Sequence, residues 1–164
     1  MNREGIRSAI ISAWHRVSRP VAADTGLAYE APEVESAIRD LDYLEISGEL
    51  RRFDKYYLFC YLTKDYACYF SASYMLFGLS NWHEQPNDDL CLSDPLAENL
   101  FYFLTGQRWP IEELRNGLSH EQIHAIYEFL SFFSQLVLES SLLQATKQLF
   151  PEALEAWKGV RPYN

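Results

Sequence analysis

The sequence predicts an all-α protein, with residues 1–164 forming a single compact multi-helix domain around a buried apolar central helix. Three observations predict this fold. Apolar residues recur at helical spacing in most segments, recognisable caps mark several helix ends, and no segment has the alternating pattern of a half-buried strand. The composition, 48% hydrophobic and 23% charged, is that of a globular chain, which at this length needs no metal or disulfide to fold.

Three helices are predicted before the central one. The first covers residues 3–17 and ends before Pro20. The second begins near Pro32, a residue that suits the first turn, and is expected to break at Ser47-Gly48. Residues 49–61 form the third. The apolar faces of the first two helices consist of Ile6, Ile10, Ala13, Trp14 and Val17, and of Val34, Ile38 and Leu41.

The predicted central helix covers residues 64–79 and is apolar on nearly all sides. Thr63 is its expected N-cap. A helix without a polar face is usually buried, so this segment should form the middle of the core. The polar stretch 80–92 follows and is predicted to be a mobile loop.

The C-terminal half contains further predicted helices, at 95–105, 110–115 and 120–138, then a continuation to Leu149 and a last short helix from Pro151 to Gly159. The expected end signals are Asp94-Pro95, Gly106, a left-handed Gly117 and a kink at Ser140-Ser141. Ser119 and Gln122 should form a capping box, with Leu118 and Ile123 as its hydrophobic staple. The long helix should bury Ile123, Ile126, Tyr127, Leu130, Phe133 and Val137.

The charge of the chain narrows the class of partner. The net charge is −9 and the pI about 4.9. An acidic surface repels nucleic-acid phosphates and anionic membranes, so neither is an expected partner. The same charge favours solubility or a basic protein partner.

Cysteine usage and the apolar segments predict a cytoplasmic protein. Cys60, Cys68 and Cys91 have no regular spacing, which is typical of a reducing compartment and not of a disulfide framework. Charged residues continue through the N-terminal segment, so no signal sequence is expected. The longest apolar stretch, residues 66–79, is shorter than the roughly 20 residues that span a bilayer.

One motif could carry chemistry. Residues 120–124 read His-Glu-Gln-Ile-His, which matches the H-E-x-x-H pattern of zinc hydrolases. His120 and His124 would share a helix face and bind zinc, and Glu121 would act as general base. The capping box, however, places His120 at the solvated helix start, and the third ligand that catalytic zinc needs has no distinctive candidate among Glu139, Glu152 and Glu155. We therefore favour no catalytic residue, metal or cofactor, and keep the zinc-dependent hydrolase as an alternative.

Aromatic residues are abundant between residues 53 and 77 and permit two interpretations. They could form a platform that stacks nucleic-acid bases, but the acidic charge favours core packing. If Tyr56, Tyr61 or Trp109 is exposed, it is a candidate anchor for a protein partner.

Two stretches resemble a small bacterial family of unknown function, and together they cover about a third of the chain. The first is Tyr57-Leu58-Phe59-Cys60-Tyr61-Leu62-Thr63 with Tyr69-Phe70 and Tyr74-Met75. It is similar to a "Leu-Thr" helix start followed by a "Tyr-Phe-Leu-Pro-Ala-Tyr-Met" run. The second is Leu118-Ser119 with Glu121-Gln122 and Phe129-Leu130, which is similar to a "Leu-Thr-x-Glu-Gln" helix opening.

The resemblance implies no activity, because the family has none established. Its second hallmark is the Glu-Gln helix start, which implies that the paired histidines here are incidental. Ser71-Ala72-Ser73 replaces the family's Leu-Pro-Ala, so the kink that the proline implies is not expected in this chain.

The function expected from these observations is that of a non-enzymatic cytoplasmic interaction protein, an accessory or immunity-type binder of a protein partner. The zinc hydrolase is one alternative. A homo-oligomeric structural module, in which one apolar helix face pairs with its copy, is the other.

Overall fold

A computed structural model describes residues 1–20, 36, 38, 40–53, 62–82, 95–139 and 144–159. The fold is all-α. The helices in this part of the chain are α1 (Arg3–Trp14), α2 (Tyr43–Phe53), α3 (Lys64–Asn81), α4 (Pro95–Leu104), α5 (Ile111–Asn116), α6 (His120–Glu139), α7 (Gln144–Lys147) and α8 (Phe150–Lys158).

Helix α3 is the buried centre, as its composition predicts. Every residue from Tyr66 to Leu79 is buried. The Thr63 side chain accepts a hydrogen bond from the Tyr66 N–H (3.4 Å), which confirms the predicted cap. Helices α1, α2 and α4 contact α3, while α6 packs against α1 and α8.

An aromatic cluster joins these helices around Trp82, which directly follows α3. The Trp82 ring lies 5.7–6.4 Å from four phenylalanine rings, those of Phe77, Phe101, Phe129 and Phe133. Aromatic pairs at this separation add to the free energy of burial. The cluster therefore ties α3, α4 and α6 into one core.

Polar groups of the core aromatics are satisfied internally. The indole N–H of Trp157 donates to the Leu104 carbonyl (2.8 Å), and that of Trp14 to the Cys68 carbonyl (3.4 Å). Within the described residues, no buried side-chain nitrogen or oxygen lacks a hydrogen-bond partner. A core rich in Tyr and Trp thus avoids the cost of unpaired polar atoms.

Two predicted helix boundaries in the N-terminal part are wrong. Helix α1 ends at Trp14, three residues before the predicted end at Val17. Helix α2 runs straight through Ser47-Gly48, because Ile46 and Leu50 on either side of the pair are buried and hold the helix on the core. Of the second and third predicted helices, residues 21–35 and 54–61 lie outside the described residues.

Three boundaries after the central helix also differ from the prediction. Helix α3 continues through Ser80 to Asn81, and Trp82 is buried, so the polar loop does not begin at Ser80. Gly117 closes α5 with φ −93°, so it is not left-handed. Gly106 is left-handed (φ 78°), as the end of α4 requires. Residues 83–94 and 140–143, with the Asp94 cap and the Ser140-Ser141 kink, lie outside the described residues.

Helices α6 and α8 match the prediction closely. The long helix buries five of the six predicted residues, and Tyr127 is half-buried. Helix α8 begins with Pro151 in its first turn and ends before Gly159. In the described part of the chain, no helix combines the length and hydropathy needed to cross a bilayer.

Candidate functional site

The His-Glu-Gln-Ile-His segment forms the first turn of α6, and a capping box sets its orientation. The Ser119 N–H donates to Gln122 Oε1 (2.8 Å), and the Gln122 N–H donates to Ser119 Oγ (3.3 Å). Gln122 and Ile123 are buried, so His120, Glu121 and His124 point outward. The predicted capping box is confirmed, and it turns the candidate chemical groups toward solvent.

The electrostatics of the turn do not suit a general base. The pKa of Glu121 is lowered, first by the hydrogen bond from its own backbone N–H and then by Ser119 and the charge of His120. A general base that works near neutral pH needs a raised carboxylate pKa, which is the opposite direction. His124 Nε2 lies 4.0 Å from Glu128 Oε1, and the His124 side chain is 62% exposed.

The structure brings no third described metal ligand to this turn. Nowhere among the residues that the structure describes do three or more His, Cys, Asp or Glu side chains form a group that could hold a metal ion. The downstream carboxylates considered as third ligands, Glu139, Glu152 and Glu155, are all exposed. Among the described residues, the turn therefore supplies two solvent-facing imidazoles one turn apart, one fewer than the three protein ligands of a catalytic zinc site.

Trp109, the third candidate anchor, is half-buried between α4 and α5. Its ring packs edge-on against Phe103 at 6.0 Å, and the Arg108 guanidinium lies 4.4 Å above it. These contacts make Trp109 part of the packing of the α4–α5 turn. Tyr56 and Tyr61, the other two candidate anchors, lie outside the described residues.

The aromatic residues of α3 pack in the core and do not form a base-stacking surface. The described members of this set, Tyr66, Tyr69, Phe70, Tyr74 and Phe77, are all buried. Their rings contact one another and the rings of α2 and Trp82. The core-packing interpretation is therefore confirmed for these residues.

Two arginines stabilise the fold through hydrogen bonds to groups that are distant in sequence, and the sequence did not predict this role. Arg19 donates to the Tyr66 hydroxyl (2.7 Å) and to the Leu41 carbonyl (3.0 Å). Arg115 donates to the Ala156 carbonyl at the end of α8 (2.7 Å). No local pattern marks such residues, because their acceptors are distant in sequence.

The surface also presents apolar side chains that the sequence analysis did not single out. Tyr102 on α4 is 45% exposed, and Leu149, just before α8, is 37% exposed. Helical spacing does place Tyr102 opposite the inward residues Leu100 and Leu104, so a signal for it existed. Leu149 has no such signal, since its exposure depends on the turn between α7 and α8.

Charge is distributed unevenly along the chain. Residues 95–159 carry eight carboxylates against four cations, a net charge of −4, whereas residues 1–82 carry eleven against nine, a net charge of −2. Seven of the eight C-terminal carboxylates are exposed: Glu98, Glu112, Glu113, Glu121, Glu139, Glu152 and Glu155. Two of the four cations there, Arg108 and Arg115, donate inward to backbone carbonyls. The exposed side of α4–α8 is therefore strongly acidic.

Comparisons of the chain with protein-family models, curated proteins and solved structures found no significant match.

Proposed function

We propose that the protein is a non-enzymatic interaction protein of the bacterial cytoplasm, an accessory or immunity-type binder of a basic protein partner. The observation that supports this best is the acidic surface of helices α4–α8. Exposed carboxylates dominate helices α4–α8, and half of the cations in the same region are directed into the fold.

Such a surface attracts a cationic protein over several ångströms and speeds the encounter. It also repels nucleic acids and anionic lipids, which leaves a protein as the favoured partner class. Glu121 faces solvent and its pKa is lowered, which does not favour the general base that zinc hydrolysis at this turn requires.

The test is affinity purification of the tagged chain from its native host, followed by binding measurements with the purified partner. We expect a basic protein to be enriched over an untagged control. Its association rate should fall steeply between low and physiological salt, since exposed charges are screened within about 10 Å at 0.1 M salt.

A matched pair of double variants tests which surface of the protein speeds association with the partner. Glu112→Lys/Glu121→Lys reverses two exposed first-turn carboxylates of α5 and α6, and Glu4→Lys/Asp65→Lys does the same on α1 and α3. The first pair should slow association more than the second, although both change the net charge equally. The proposal would be refuted if no protein were enriched. It would also be refuted if the enriched protein were acidic and its association rate did not change with salt concentration.

A further inference from the structure

Tyr102 and Leu149 emerge from parts of the fold that are in contact beneath the surface. Their chain neighbours Phe101 and Phe150 are buried, with ring centroids 5.8 Å apart. Helix α4, which carries Tyr102, also contacts α7, which ends two residues before Leu149. Two of the most exposed large apolar side chains of the described chain therefore belong to adjoining elements.

Each apolar residue has an exposed carboxylate beside it. Glu98 lies one turn before Tyr102 and so shares its side of α4. Glu152 lies in the first turn of α8, three residues after Leu149. We name these four residues, Glu98, Tyr102, Leu149 and Glu152, the α4–α8 patch.

We propose that the α4–α8 patch is the docking surface for the basic partner, an inference that rests on the proposed function. The occupant is a protein segment with an apolar side chain between Lys or Arg residues. Its apolar group would cover Tyr102 and Leu149, while its cations face Glu98 and Glu152. Tyr is among the residues that most often dominate binding energy, and flanking charges set orientation.

Leu44 provides a matched control. It is 43% exposed on α2, almost the same as Tyr102, and is followed by the exposed Glu45. It differs from the patch in lying on α2, whereas the patch lies on α4 and at the start of α8. Leu44 and Tyr102 thus each combine an exposed apolar side chain with a nearby carboxylate, and they differ in their location in the fold.

The experiment has two stages. A photo-crosslinking amino acid is placed at position 102, 149 or 44 of the full chain in its native host. We expect the same basic protein to be crosslinked from 102 and 149 and not from 44. With that protein purified, Tyr102→Ala/Leu149→Ala should raise its Kd by about 10- to 100-fold, while Leu44→Ala changes the Kd by less than about 2-fold. Circular dichroism and unfolding midpoints verify that each variant folds.

The outcomes separate the patch from the proposed function. If a basic partner binds but the double variant binds it equally well, the patch is refuted and the function stands. Crosslinking from 102 and 149 to a second copy of the chain would also refute the patch, because it would then be a homo-oligomer interface. If no partner is found by crosslinking or by purification, both proposals fall.

Discussion

Gly48 and Gly78 both lie inside helices, but a side chain at each position would meet very different surroundings. At Gly48, on the exposed side of α2, an added Cβ would meet nothing within 4 Å. At Gly78, in buried α3, it would lie 2.4 Å from the Trp82 ring. Four phenylalanine rings surround that indole, so it has no room to retreat. One glycine is therefore dispensable and the other makes room for the core.

Alanine at the two glycines should shift stability in opposite directions. Gly48→Ala should raise the free energy of unfolding by about 0.5–1 kcal/mol, because glycine in a helix interior costs conformational entropy. Gly78→Ala should lower it by about 1–3 kcal/mol through overpacking. Urea unfolding measures both, and a loss of stability in Gly48→Ala would contradict the continuous helix through this position.

The Cys68 thiol should make stability depend on alkaline pH. Burial, and then the charge of Asp65, raises its pKa from 9.0 to about 12. The folded state therefore keeps a proton that the unfolded state loses above pH 9.0. The stabilisation is present below pH 9.0 and is lost as pH rises toward about 12, by at most about 1.4 kcal/mol per pH unit.

Comparison of the natural protein with Cys68→Ala separates the contribution of the thiol from that of the tyrosines, because the same tyrosines titrate in both proteins. We expect the free energy of unfolding to fall more steeply with pH above 9.0 in the natural protein than in the variant. Parallel pH profiles would show that the thiol is not protected by burial.

At the scale of the helices, one arginine joins three elements. Arg3 begins α1 and donates to the carbonyls of Leu79 and Trp82 at the end of α3. Its guanidinium also lies 5.3 Å from the ring centroid of Phe132 on α6. A cation at a helix C-terminus stabilises the carbonyls that have no helical partner.

Loss of the Arg3 guanidinium should therefore cost more than loss of a surface charge. We expect Arg3→Met, which keeps the apolar stem, to lower the free energy of unfolding by about 2–3 kcal/mol, in the range of hydrogen bonds to charged groups. The exposed Arg16 is the control, and Arg16→Met should change stability by less than about 0.5 kcal/mol. Equal effects in chemical denaturation would show that Arg3 does not join the helices.

The start of α6 permits a similar test of the capping box. Ser119→Ala should lower the free energy of unfolding by about 1 kcal/mol, because the Gln122 N–H loses its acceptor, whereas Ser119→Asp should retain it. Ser134 lies within the same helix and donates only to the Ser131 carbonyl one turn back. Ser134→Ala should show no comparable loss in thermal unfolding.

At the scale of the whole molecule, the exposed positions of His120 and His124 predict a low zinc content of the purified protein. Catalytic zinc needs three protein ligands, and His120 and His124 supply two that face solvent. Protein purified without a histidine tag should contain far less than one equivalent of zinc by mass spectrometry. His120→Ala/His124→Ala should leave that content unchanged. One equivalent of zinc, lost in this variant, would instead favour the hydrolase alternative.

Features of the fold that depend on neighbouring residues were predictable from the sequence, and features that depend on distant residues were not. Capping chemistry acts within one turn, so Thr63, Ser119 and Gly106 were identified from local residues. The helix through Gly48 was not, because long-range burial of Ile46 and Leu50 overrides the local preference of Ser-Gly to break. Of the candidate site, local reasoning located His120 at a solvated helix start but could not identify Leu149.

The sequence alone determined the helical class, the central position of α3 and the overall acidity, because each follows from composition and from spacing along one helix. The tertiary structure alone decided which arginines donate hydrogen bonds to distant backbone carbonyls. It also decided on which surface the exposed carboxylates lie and that the apolar side chain of Leu149 remains on the surface. These properties depend on contacts between residues far apart in the chain, such as Arg115 with Ala156 and Phe101 with Phe150, and no local pattern encodes such contacts.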